Sequence, residues 1–561
     1  MKSVTELSSL PEEIAKREGL VGRAAGDLVA RGVAAVDFVL GVDGAGGQDV
    51  RDEQFRVGRA AGDAAQASGI GSDDDACVRR VLGGILDGLR SRERVLQIAA
   101  LDGLLHFISV LGGQTSVVAN NDDSAAQQLK ARFAALAQEL GLFSLLHTTA
   151  SSALPGYDAG QAPAEAPSSE LTAVLLSRLP LVFTQCLAHF EGDDTMLKKM
   201  ARDWCVSPVL VARPTNRTQL AQGSTSCLLL SALFLSNAKL ALWAVQQTGN
   251  DGTAFLAHLH EFLSASRTFD DAKAHTRQLQ EIWVDCVASI CGVEHGPACV
   301  PPALRVEIYR MLQASLDDED DLVLRASALS IQVKLGIVEK TLEISSADGQ
   351  FLMDSVFEVL ASAEAVGNKY KEAEKAKQSK DKAKQVPRSQ LFWSGVSPKE
   401  RGIEALSYLI TYTPVKDAFV KHPGAVASVF RVEFPNVKDS SSGAQASAGF
   451  RSNVYYGIGY ILHHVLTSEA AIKRKQMEGM EMTADQYEEL QKALKQKSVL
   501  DDGDTPEHVE ARVTRLAASR DVLTTLVQLL KLSAAKSENI MEMATLSADP
   551  AGIASHRSSQ E

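Results

Sequence analysis

The side chains in this chain best suited to chemistry are Cys291, His295 and Cys299, which form the pattern C-x3-H-x3-C. Zinc binds thiolate and imidazole, but a structural zinc site takes four ligands and the nearby sequence offers no fourth. The adjacent His463 and His464 would point in different directions on a helix. We therefore predict no metal site. We interpret the segment Cys291–Cys299 as an inter-helix turn with incidental thiols. We expect one of His463 and His464 to be partly buried and the other to be exposed.

Glycine-rich and charged stretches also fail to match known binding motifs. Gly41–Gln48, "GVDGAGGQ", lacks both G-x-G-x-x-G and the Gly-Lys-Ser/Thr ending of a P-loop. The acidic Leu316–Asp321 lacks EF-hand spacing and is placed to cap the following helix. The basic Asn368–Arg388 fits a solvated helix or loop, with an acidic partner or a nuclear address as the alternative. Since no nucleophile–base pair is evident, we predict no catalytic or cofactor-binding residue.

Charge and cysteine usage narrow the function classes. The 561 residues include 57 basic and 70 acidic side chains, a net charge of −13, which argues against non-specific nucleic-acid binding. The cysteines are scattered, odd in number and form no C-x-x-C pair, which indicates buried thiols in a reducing compartment. They are Cys77, Cys186, Cys205, Cys227, Cys286, Cys291 and Cys299.

Membrane insertion and secretion are not predicted. The N-terminal residues 1–19 contain no apolar stretch of the kind found in a secretory signal. The most apolar segment, Cys227–Val245, is interrupted by Asn237 and Lys239, so a buried helix pair is favoured over a membrane span. We therefore expect a cytoplasmic protein without membrane contact.

Helical periodicity dominates the chain. The residues that begin and end helices are clearest in Ser397–Phe430. Ser397 and Glu400 form a capping box in front of a first helix. Pro414 ends that helix near Tyr412 or Thr413 and can start a second, short helix. Gly424, after a proline, turns the chain into a third helix. Flexible connections are predicted at 41–52, 151–169 and 439–449.

Parts of this arrangement recur elsewhere. A turn followed by a helix is predicted at Gly103 and again at Asp521, while Asp321–Ile337 and Asn453–Thr467 resemble the long first helix. Units of about 40–47 residues with two or three helices are the signature of HEAT and armadillo arrays. The sequence thus predicts an all-α, armadillo/HEAT-like superhelical solenoid. An irregular helical bundle is the alternative.

Three segments resemble the UCS (Unc/Cro/She) myosin chaperones, a family of armadillo-repeat proteins. Glu400–Val420 and Ser452–Thr467 are similar to the family's central region, and Asp504–Asn539 to the start of its C-terminal UCS domain. The resemblance is best over Leu304–Asn539. The first hundred residues lack the spacing of the tetratricopeptide domain of animal members, so the chain resembles the fungal type. The family continues for several further repeats, so the resemblance implies truncation within the UCS domain.

The resemblance implies a non-enzymatic co-chaperone that folds or assembles the myosin heavy chain motor domain together with the ninety-kilodalton heat-shock chaperone. The alternative is a generic armadillo scaffold for trafficking or assembly, and an enzyme is a more distant one. The protein-binding residues are not identified by the sequence. The expected organisation is an N-terminal helical region (1–150), a linker (151–169), helical repeats (170–303), a central armadillo-like domain (304–470), the start of a UCS-like region (471–549) and a disordered tail (550–561).

Overall fold

A computed structural model shows an all-α protein. It describes residues 74–91, 94–118, 133–154, 169–188, 190, 194–210, 214–249, 252–266, 273–315, 321–377, 396–431, 444–468 and 504–530. Within these ranges the chain forms helices and turns, with no strand. Contacts divide the chain into two units: unit 1 comprises residues 1–338 and 370–398, and unit 2 comprises 339–369 and 399–561.

In unit 1, successive helices stack on one another in chain order. The helices are α1 (Asp74–Arg90), α2 (Arg94–Val118), α3 (133–139), α4 (Leu142–Ala153), α5 (Ser169–Ala188), α6 (Asp194–Met200), α7 (Arg217–Ser236), α8 (Ala238–Gln246), α9 (Thr253–Ser266), α10 (Lys273–Cys291), α11 (Pro302–Ala314) and α12 (Leu322–Val338). A central row runs from α4 to α7, then α10, then α12, each packed on the next. This is the packing of a helical solenoid, in which each repeat buries its apolar face against its neighbour, and it confirms the predicted fold class.

Unit 2 contains most of α13 (Ala347–Lys377) and the helices that follow it. These are α14 (Pro398–Leu409), α15 (Thr413–Phe419), α16 (Pro423–Phe430), α17 (Ala444–Leu466), α18 (Pro506–Ala517) and α19 (520–530). The three helices predicted within Ser397–Phe430 are confirmed, although the first ends at Leu409, slightly earlier than expected. Phe419 and Phe430 are buried with ring centroids 6.3 Å apart, so the two short helices share one core.

Three expectations about connections are wrong in whole or in part. The linker predicted over 151–169 overlaps two helices, since α4 ends at Ala153 and α5 begins at Ser169. Gly103 lies in the middle of α2, so no turn precedes the apolar residues there. The connection predicted over 439–449 becomes helical at Ala444, where α17 begins. The basic stretch that starts at Asn368 is helical as far as Lys377, as part of α13. The glycine-rich stretch at 41–52 lies outside the described residues.

The apolar stretch Cys227–Val245 is a pair of helices, as predicted. Asn237 separates α7 from α8, and its side-chain oxygen accepts a hydrogen bond from the backbone N–H of Leu240. This is the arrangement of an N-cap, which satisfies a donor that the first helical turn leaves free. Asn216 caps α7 in the same way through the N–H of Gln219. Among the described helices, none combines the length and apolarity needed to cross a bilayer.

Gly349 lies in the first turn of α13, where another part of the backbone approaches it closely. A Cβ atom at this position would lie 2.0 Å from the carbonyl oxygen of Glu343, a backbone atom that cannot move cheaply. We expect Gly349→Ala to lower the free energy of unfolding of unit 2 by about 1–3 kcal/mol, measured by denaturant unfolding. Gly459→Ala in α17 is the matched control because a Cβ there meets no atom within 4 Å.

The control substitution should stabilise the protein by about 0.5–1 kcal/mol, since alanine loses less conformational entropy than glycine in a helix. Equal effects of the two substitutions would contradict the close approach at Gly349.

Candidate protein-binding face

The cysteine–histidine pattern does not converge in space. Cys291 ends α10 and is buried, whereas the side chain of His295 is 73% exposed. Cys299 lies in a short 3-10 turn, and its thiol donates to the carbonyl oxygen of His295 at 3.5 Å. In the part of the chain that the structure describes, no three His, Cys, Asp or Glu side chains lie close enough to hold a metal ion.

The adjacent histidines of α17 behave as predicted. His463 is exposed and His464 is buried. The ring of His464 lies 4.4 Å from that of Tyr460, which in turn stacks on Tyr456 at 6.4 Å. Close packing explains Gly457, where a Cβ would lie 3.1 Å from Ile403, but not Gly459, which faces open space. Tyr456 is 76% exposed, so this helix presents an aromatic side chain to its surroundings.

Three thiols from separate elements meet inside unit 1. Cys205 lies in a π-helix (Ala201–Val206), Cys227 in α7 and Cys286 in α10, and all three are fully buried. Burial, together with the neighbouring thiols, raises the pKa of Cys205 and of Cys227 well above the ordinary thiol value. Because the thiolate is the reactive form, these groups are poor nucleophiles. The prediction of buried free thiols is confirmed for every cysteine whose side chain is described.

A buried histidine–serine contact in unit 1 resembles part of a catalytic pair but is arranged differently. His147 Nε2 lies 3.1 Å from Ser226 Oγ, and that hydroxyl donates to the carbonyl oxygen of Trp204 at 2.8 Å. Since the only hydroxyl proton goes to Trp204, the imidazole donates to Ser226 and cannot remove its proton. Both side chains are buried, so a substrate has no access to them. The contact therefore joins α4 to α7 and does not activate a nucleophile.

The clearest exposed apolar surface among the described residues is on α19. Leu523, Val527 and Leu530 are 49%, 49% and 68% exposed, and their spacing places them on one side of the helix. We call these three residues the stripe. Val522 and Thr525, on another side of α19, are buried and attach the helix to unit 2. Single exposed apolar residues are common, but a contiguous set marks a surface that can bind another chain.

A group of paired charges, most of them buried, attaches α18, the helix that precedes α19, to the rest of unit 2. Asp504 accepts from Lys416 Nζ at 2.7 Å and from Arg512 Nη2 at 2.5 Å. Arg512 also contacts Asp417 at 3.2 Å and donates to the carbonyl oxygen of Val465 at 3.0 Å. We call Lys416, Asp417, Asp504 and Arg512 the Asp504 cluster. It joins α15, α17 and α18.

Two neighbouring positive charges keep the Asp504 carboxylate ionised. Burial alone would raise the pKa of Asp504, but hydrogen bonds and charges from Lys416 and Arg512 outweigh burial and hold the pKa below its usual value. Lys416 and Arg512 are themselves almost completely buried. Buried charges of this kind are tolerated when they are paired and hydrogen-bonded.

A second, more exposed group of polar contacts holds α19 itself. Arg431 Nε donates to Asp521 at 2.7 Å, and its guanidinium also lies 3.6 Å from Glu364. The hydroxyl of Thr525 donates to the carbonyl oxygen of Phe430 at 2.5 Å, which satisfies a free acceptor at the end of α16. The hydrogen bond and charge of Asp521 raise the pKa of Arg431, with a smaller contribution from Glu364. The stripe is therefore carried on a helix with defined attachments.

Comparison with known proteins does not assign the chain to a family. No protein-family model matches the chain, and no curated protein is similar enough to be a relative.

Sequence reasoning did not identify the stripe, although the spacing of Leu523, Val527 and Leu530 is visible in the sequence. The missing information was which side of α19 is covered, and that depends on the packing of α19 against the end of α16.

Proposed function

We propose that the chain is a non-enzymatic protein-binding array and that the stripe on α19 is part of its binding surface. The supporting observation is three exposed apolar side chains on one side of a helix that two polar clusters attach to unit 2. Apolar side chains on a positioned helix can cover apolar surface of another chain, and the hydrophobic effect favours such burial. Solenoids commonly bind proteins through extended surfaces of this type.

The partner that we propose is the partly folded motor domain of a myosin heavy chain, in cooperation with the ninety-kilodalton heat-shock chaperone in the cytoplasm. The resemblance of Glu400–Val420, Ser452–Thr467 and Asp504–Asn539 to UCS chaperones supports this partner. A partly folded domain exposes apolar side chains that become buried in its native state. Contact with the stripe would shield them from aggregation without nucleotide chemistry.

A generic scaffold for trafficking or assembly is the second candidate function. The stripe favours it equally, because exposed leucine and valine side chains have no chemistry specific to myosin. The two functions differ in what the chain does to a myosin motor domain on heating: a chaperone slows its aggregation and a scaffold leaves it unchanged.

The test combines aggregation and binding measurements on two variants. We expect the wild-type chain to bind a myosin motor domain and to slow its thermal aggregation. Leu523→Asp combined with Val527→Asp should weaken binding at least about tenfold, since each desolvated aliphatic side chain contributes about 1.5–3 kcal/mol. Thr524→Asp is the control, because Thr524 is exposed on the same helix but outside the stripe.

Circular dichroism would establish that both variants remain folded. Failure of the wild-type chain to bind the motor domain or to slow its aggregation would contradict the myosin proposal. Normal binding by the double variant would instead exclude the stripe as the contact surface.

A further inference from the structure

The segment 504–530, which contains α18 and α19 and is here called the C-terminal pair, buries few apolar side chains against the rest of unit 2. Over residues 504–530, Leu516 and Val522 are the only large apolar side chains that the structure shows as buried. By contrast, the eight residues of α16 bury Val426, Val429 and Phe430. Because apolar burial is the main favourable contribution to folding, the pair is held less strongly than the helices it contacts.

Polar contacts supply much of the remaining attachment. Asp504 and Arg512 connect the pair to Lys416, Asp417 and the carbonyl oxygen of Val465. Each of these contacts joins a residue of the pair to α15 or to the end of α17. Separation of the pair from unit 2 would therefore break the contacts of the Asp504 cluster to α15 and α17, together with the contacts of Asp521 and Thr525 in α19 to the end of α16. Because only residues 518–519 separate α18 from α19, we expect the two helices to move as one unit.

We propose that the C-terminal pair is a latch: residues 504–530 undock from α15, α16 and α17 as one unit while those helices stay folded, and the Asp504 cluster sets how often this happens. Undocking uncovers Leu516 and Val522 and the surfaces of unit 2 that they cover. The exposed apolar area near the stripe then becomes larger.

The role of the latch rests on the proposed function. A non-native protein that covers apolar surface binds the undocked state more strongly than the docked state, because more apolar area is available in it. A ligand with such a difference in affinity shifts the population toward the state that it prefers. Partner binding would therefore be regulated by the ion cluster, and weakening of the cluster would strengthen binding.

Hydrogen–deuterium exchange of the full-length chain, without any partner, tests the latch itself. In the wild type we expect amides of 504–530 to exchange through a common opening that is more frequent than the opening of α14–α16. Asp504→Asn should raise the frequency of this opening about 100-fold or more, because it leaves Lys416 and Arg512 buried without that carboxylate. Exchange in α14 and α16 should stay unchanged.

Asp521→Asn is the matched control, since Asp521 lies on the same pair but in a half-exposed contact with Arg431. It should change the opening frequency less than about tenfold. Equal protection of the pair and α14–α16 in the wild type would overturn the latch, as would uniform acceleration across unit 2 in Asp504→Asn. The wild-type measurement decides the question even where the variant does not fold.

Binding of the motor domain to Asp504→Asn separates the two proposals. Tighter binding than that of the wild type supports the regulatory role. Unchanged or weaker binding with the expected exchange pattern removes that role and leaves the latch in place. Absence of binding by both proteins contradicts the proposed function and not the undocking.

Discussion

Replacement of Trp283 by alanine is expected to lower the free energy of unfolding of unit 1 by about 3–5 kcal/mol, the usual cost of removing a large aromatic side chain from a core. Trp283 lies in α10 and is completely buried. Its ring meets that of Phe262 edge to face, with centroids 5.8 Å apart. Phe262 in turn lies against Gly223 of α7, where a Cβ would approach to 2.3 Å. The contact with α7 therefore restricts the movement of Phe262 into the cavity.

Trp283→Phe is the control for this prediction. Trp283→Phe should lower the free energy of unfolding less than Trp283→Ala does, because an aromatic ring still faces Phe262. It also removes the indole N–H, which has no hydrogen-bond partner among the described residues. Denaturant unfolding followed by far-UV circular dichroism measures both variants without dependence on tryptophan fluorescence. A loss below about 1 kcal/mol for Trp283→Ala would show that Trp283 is not a central part of the core.

Local sequence signals predicted the helices of unit 2 well. The prolines at 398, 414 and 423 each lie in the first turn of a helix in the structure. Proline is compatible with that position because the first N–H groups of a helix have no internal acceptor. Asn237 was equally informative, since its short side chain interrupts an apolar run and caps α8. In each case the physical cause of the boundary lies within a few residues of it.

Glycine was a less reliable signal of a boundary. Gly103 was expected at a turn but is part of α2, where a Cβ would make only ordinary contacts with Ile85 at 3.9 Å. Inside a helix, glycine costs only about 1 kcal/mol relative to alanine, and tertiary packing readily offsets that amount. The spacing of apolar residues around Gly103 was a better guide than the glycine itself.

The candidate site depended on contacts that the sequence does not reveal. Lys416 is completely buried although lysine is nearly always exposed, and its partner Asp504 lies 88 residues away in the chain. The meeting of Cys205, Cys227 and Cys286 has the same origin, since three separate elements bring the thiols together. Periodicity predicts which side of a helix is apolar, but not which polar side chains a neighbouring helix will cover.

Acidification is expected to destabilise unit 1 through His147. Burial is the main cause that lowers its pKa, to about 4, and contact with the backbone of Gln222 opposes the shift. The unfolded chain, with an ordinary histidine pKa near 6.5, binds a proton that the folded state does not accept at moderately acidic pH. The stabilising effect of the neutral ring is therefore complete above about pH 6.5 and is lost as the pH falls toward 4. From pH 7.5 to 4.5 this loss amounts to about 2–3 kcal/mol.

A comparison of three proteins isolates this contribution from the titration of carboxylates. Denaturant unfolding of unit 1 between pH 7.5 and 4.5 should show a smaller pH dependence for His147→Gln than for the wild type, by about 2–3 kcal/mol. His147→Gln should also be less stable than the wild type at pH 7.5, because the contact with Ser226 is altered. His295→Gln is the control for the substitution itself, because it makes the same change at a side chain that is 73% exposed and should alter the stability at pH 7.5 by less than about 0.5 kcal/mol. Parallel pH curves for the wild type and His147→Gln would mean that the buried ring is protonated as readily in the folded state as in the unfolded chain.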